Sequence, residues 1–61
     1  MAKLTPENVI VQLDEYWERR KELTVETAID LSFYMDYAIS TKDIVLIKAV
    51  HNRIIYHLLG Y

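Results

Sequence analysis

Helix-start signals recur along the chain at a spacing that leaves room for nothing but short helices. Thr5-Pro6-Glu7 offers an N-cap, a proline at the first helical position and an acid in the first turn. Thr24 precedes Val25-Glu26 as a second cap, and Ser40-Thr41-Lys42-Asp43 gives a third, close to a capping box with Ser40 as cap. Gly60 stands where a C-terminal cap is wanted. The windows between carry helical rather than alternating periodicity, so the expected fold is all-α, with three short helices at about 6–22, 25–39 and 42–59 packed as a self-associating bundle in a single domain.

Each window has an apolar face. In the first, Val9, Ile10, Leu13, Tyr16, Trp17 and Leu23 form one arc, opposite Glu7, Asp14, Glu15, Glu18, Arg19 and Glu22. The second has a main arc of Val25, Ala28, Leu31, Ser32, Met35, Ala38 and Ile39, with Ile29 and Phe33 beside it. Its polar strip is Glu26, Thr27 and Asp30, mixed with Tyr34 and Tyr37. In the third, Ile44, Ile47, Val50, Ile54, Ile55 and Leu58 make a stripe; Val45, Ala49 and Tyr56 make a second patch, with Leu59 between the two. Two of the three helices are thus too apolar for a lone bundle.

Composition sharpens the point. The chain has 61 residues, 52% of them hydrophobic, with one Gly, one Pro and no Cys. A domain this small buries only about 60% of its unfolded surface and usually needs a disulfide, a metal or a partner. Without Cys, and with His51 and His57 diverging on their helix, the first two are not expected; no cofactor or metal site is anticipated. Self-association, as a dimer, or docking on a larger protein is the economical outlet for the excess apolar surface. The expected contact residues are Ile29, Phe33, Tyr34 and Tyr37 on the second helix, and Val45, Ala49, Tyr56 and Leu59 on the third. Tyr16 and Trp17 read as core, and Tyr61 as a terminal residue that frays.

Charge divides along the same lines. Residues 1–23 carry −1, residues 24–39 carry −3 with no base, and residues 40–61 carry +2, for a net −2. An acidic second helix and a basic third attract each other, within a chain or between copies. Asp36 and His51 both fall in apolar regions, so a buried Asp36 is expected to find His51 or Arg53.

Catalytic signatures are missing: there is no glycine-rich phosphate loop, no thiol and no nucleophile elbow, so an enzyme is not expected. No apolar run is long enough to span a bilayer, and Met-Ala-Lys-Leu-Thr-Pro lacks the apolar core of a secretory signal, so a cytoplasmic setting is expected. A small dimeric DNA-binding regulator of helix-turn-helix type is the alternative reading. Against it, Lys42, Lys48, His51, Asn52, Arg53 and His57 are scattered round the third helix, and the pI is near 5.5.

From Met35-Asp36-Tyr37-Ala38-Ile39 through Ser40-Thr41-Lys42-Asp43 the chain resembles the IDEAL domain, a short helical segment of Firmicute bacteria named for Ile-Asp-Glu-Ala-Leu. Met35, Asp36, Ala38 and Ile39 stand for that motif, Thr41-Lys42-Asp43 for the turn after it, and Ile47, Val50 and Ile54 for the apolar positions that follow. Tyr37 departs from the family's Glu, and Ile47 occupies a position where an aromatic is common. The likeness covers residues 35–54 and implies a bacterial or phage helical interaction module without enzymatic activity.

Overall fold

Backbone amides at the start of a helix need acceptors, and the chain supplies them at each of its turns. The computed structural model describes residues 3–60, which form α1 (Val9–Arg20), α2 (Val25–Thr41) and α3 (Ile44–Leu59), with no strand among the described residues. Tyr61 lies outside them. The fold is the small all-α bundle expected.

The helix ends differ in detail from the sequence reading. Before α1, the Thr5 carbonyl accepts from the N–H groups of Asn8 (3.1 Å) and Val9 (3.0 Å), while Thr5 N–H donates to Asn8 Oδ1 at 2.7 Å. Residues 6–8 are therefore a tight turn held by a reciprocal side-chain bond, and regular helix begins at Val9 rather than at residue 6. Thr24 caps α2 as expected, its Oγ1 accepting from Thr27 N–H at 3.1 Å. Ser40 does not cap α3. It lies within α2, donating back to the Tyr37 carbonyl, and Asp43 is the cap, its Oδ1 accepting from Val45 and Leu46 N–H. A carboxylate adjacent to the first turn satisfies two amides at once, so the link shrinks to Lys42 and Asp43. Lys42 closes α2 in the left-handed region at φ 59°, and Gly60 closes α3 at φ 77°, as expected of it.

Such short links fold the helices back on one another. Tyr16 of α1 meets Asp30 and Tyr34 of α2, whereas Asp14 of α1 meets Arg53 and His57 of α3. Hence α1 and α3 run the same way and α2 runs against both. The Cα radius of gyration, 10.8 Å, is close to the roughly 10.5 Å of a packed chain of this length.

Val9, Leu13, Leu31, Ala38 and Val50 are buried, with Trp17, Met35, Ile47, Ile54 and Leu58 among the side chains packed round them. Several expected core positions are not there. Leu23 lies beyond α1 and is exposed, and so are Val25, Ala28, Ser32 and Ile39 of the main α2 arc and Ile44 of the α3 stripe. In their place α2 turns inward Thr27, Asp30 and Tyr34, which were read as its polar side. Tyr16 ties this face to α1: its ring lies 6.0 Å from that of Tyr34, and it donates its hydroxyl to Asp30. Small Thr27 and Ala38 flank Leu31 on this face and let the neighbouring helices approach.

Candidate interaction surface

Helical phase decides which side chains the bundle leaves outside. On α2, Val25, Ile29, Phe33 and Ile39 remain between 51% and 77% exposed; on α3, Ile44, Val45, Tyr56 and Leu59 are between 50% and 78% exposed. Eight large apolar side chains at the surface outnumber the five fully buried hydrophobics. Total accessible surface is 4576 Å². A folded 7.2 kDa monomer exposes roughly 4,100 Å², so about a tenth more is left open here.

The residues singled out from the sequence fall into two groups. Ile29, Phe33, Val45, Ala49, Tyr56 and Leu59 are exposed. Tyr34 and Tyr37 are half-buried against the core, where their rings serve packing first. Phe33 and the pair Ala49 and Tyr56 also border different grooves. Phe33 borders an open groove of about 430 Å³ between α1 and α2, beside Leu4, Tyr16, Arg19, Arg20 and Tyr34. Ala49 and Tyr56 border one of about 300 Å³ between α1 and α3, beside Ile10, Asn52 and Arg53. They flank α1 on opposite sides. What the sequence reading missed is the outer surface of the α2–α3 pair, where Val25, Ala28, Ser32 and Ile39 come out together; the spacing was visible, but it was assigned to the core.

Polar chemistry concentrates on α1. The Tyr16 hydroxyl is pushed above its ordinary pKa, first by burial and then by its hydrogen bond to the Asp30 carboxylate; burial also raises Tyr34. His57 Nε2 lies 2.8 Å from Asp14 Oδ1, and because a carboxylate only accepts, that nitrogen carries the hydrogen. Its ring stacks on Trp17 with centroids 5.2 Å apart and takes an edge contact from Tyr56. Arg53 Nε approaches the same Asp14 oxygen at 3.3 Å.

These contacts overturn the pairing expected for Asp36. Asp36 and His51 are both exposed, and Arg53 turns to α1. Asp14, assigned to the solvent face, is half-buried and is the carboxylate that meets a histidine, and that histidine is His57, not His51. Among the described residues the ion pairs are Asp14 with Arg53 and Glu18 with Lys21, and His57 hydrogen-bonds Asp14; none joins acidic α2 to basic α3.

No group of three or more His, Cys, Asp or Glu among the described residues could hold a metal ion, and no helix there is long and apolar enough to cross a membrane. The chain matches no protein-family model, no curated protein and no solved structure.

Proposed function

We propose that this chain is a small non-enzymatic interaction module, an adaptor or an inhibitor of a larger protein, which docks through the apolar surface of α2 and α3. One observation carries the reading: the eight large apolar side chains that these two helices keep at the surface. Covering them returns about 25 cal/mol per Å² of apolar area, a gain available only on association. The likeness of residues 35–54 to the IDEAL domain points the same way, and a bacterial or phage origin and a cytoplasmic setting go with it.

The helix-turn-helix alternative draws less support. Arg53 is held against Asp14, His57 is enclosed by Trp17 and Tyr56, and the α2–α3 link has two residues where that motif uses a 3–4-residue turn. The test is capture by the immobilised full chain from the source cytoplasm, beside an Ile29→Glu/Ile39→Glu variant, with the mass of each in solution. The wild type should retain a protein, itself or another, with little loss on raising salt, and the variant should release it at unchanged helix content. Retention of DNA that falls steeply with salt would favour the regulator instead. A wild type that stays monomeric and retains no protein refutes the docking reading.

A further inference from the structure

The outer surface of the α2–α3 pair has the features of a self-complementary face. Because Asp30 and Tyr34 mark the flank of α2 turned to α1, helical phase turns Ala28, Ser32 and Ile39 to the opposite flank, beside α3. Arg53 and His57 likewise mark the α1 side of α3, which leaves Ile44, Lys48 and Ile55 outward. The result is an apolar strip across two antiparallel helices, with an exposed Asp36 on one and an exposed Lys48 on the other, neither of them in an ion pair among the described residues.

The heights of those two charges match. Asp36 precedes Lys42 by six residues and Lys48 follows Asp43 by five, so at about 1.5 Å per residue they stand at nearly the same distance from the link. A two-fold axis running along the helices keeps every residue at its own height and lays α2 of one copy over α3 of the other. That operation brings acid to base twice, once at each symmetric site, and places the small Ala28 and Ser32 where a second helix can approach closely. Direct self-pairing of α2 would instead set one acidic helix of −3 against its own copy.

We propose that the chain pairs with a second copy of itself through this face, α2 of each lying along α3 of the other and Asp36 meeting Lys48 across the seam. The proposal rests on the docking reading above and names its occupant. A standard interface takes about 800 Å² from each partner, roughly a sixth of the 4576 Å² this chain exposes.

The experiment is light scattering and sedimentation equilibrium of the full chain over a concentration series, with Asp36→Lys, Lys48→Asp and the double exchange Asp36→Lys/Lys48→Asp. Wild type should reach twice 7.2 kDa. Each single variant turns two attractions into two repulsions and should weaken pairing by about tenfold, whereas the double exchange should return to within about threefold of wild type. Both positions are exposed, so far-UV circular dichroism should be unchanged throughout. Ala49→Glu, in the α1–α3 groove outside the seam, should leave the mass at the dimer value. A double exchange no better than the single variants overturns the proposal, as does loss of the dimer on Ala49→Glu. A wild type that stays at 7.2 kDa overturns the pairing too; if that monomer still captures another protein through an Ile39-sensitive face, the docking reading survives it.

Discussion

Asp14 is the residue on which the closure of α1 against α3 should depend, and Asp14→Ala measures how much. The variant removes the acceptor for His57 Nε2, 2.8 Å away, on an imidazole whose side chain is only 9% exposed. An unpaired donor in so closed a place costs about 1–3 kcal/mol. The accompanying Arg53 contact is shorter of value: its partners are 43% and 37% exposed, so solvent screens it to about 0–1 kcal/mol. Because Asp14 is itself partly open, water can reach some of the vacated site, and the combined loss comes to about 1.5 kcal/mol. For a domain of this size that lowers the melting temperature by about 6–12 °C. The assay is thermal circular dichroism at pH 7 and a single protein concentration, since assembly would otherwise add its own stabilisation. Arg53→Ala serves as the comparison and should move the midpoint by less than about 5 °C, and by still less in 1 M salt. The reasoning fails if Asp14→Ala melts within about 2 °C of wild type, or if Arg53→Ala costs as much.

Leu31→Ala removes a side chain 2% exposed at the centre of the core and should destabilise by about 2–5 kcal/mol, enough to leave much of so small a domain unfolded at 37 °C by circular dichroism. Tyr16, whose folded pKa is raised above its ordinary 10.0, contributes stability that is complete below pH 10 and lost as pH climbs through the folded value; Tyr16→Phe should flatten the alkaline fall in melting temperature, and an unchanged slope would count against it. Lys42→Gly relieves a non-glycine residue at φ 59° and should raise stability by about 0.5–1 kcal/mol in a denaturant titration.

Helix number, order and approximate limits were legible because they are written in local chemistry. Thr24 caps with its hydroxyl and Gly60 through the positive φ that a residue without Cβ allows, each where expected. The phase of α2 was not legible, for a physical reason. Hydrophobicity places Val25, Ala28 and Ile39 inside and Thr27, Asp30 and Tyr34 outside, yet the interior of a 61-residue bundle is shared with α1, whose Tyr16 brings a ring and a hydroxyl together. The Asp30 carboxylate gains the Tyr16 hydroxyl and Tyr34 gains the Tyr16 ring as a neighbour, and no property of α2 alone announces either. The same holds for Asp14 and His57, which are 43 positions apart and become a pair only when α1 lies along α3. The exposed positions Ile29, Phe33, Val45 and Tyr56 were legible as surplus, but that Phe33 and Tyr56 border separate grooves on either side of α1 follows from how the three helices pack.

The brevity of the connections bears on how fast the chain finds its shape. Residues 21–24 join α1 to α2, and Lys42–Asp43 alone join α2 to α3, so each neighbouring pair can close with little loop entropy to overcome. Only the contacts of α1 with α3, such as Asp14 with His57, span a long stretch of chain. A topology so rich in local contacts belongs with helical proteins that fold in about microseconds to milliseconds. The α2–α3 hairpin would be able to close before α1 arrives, and its outer apolar face would then be presented to the surroundings from the first moments of folding, not only in the finished domain.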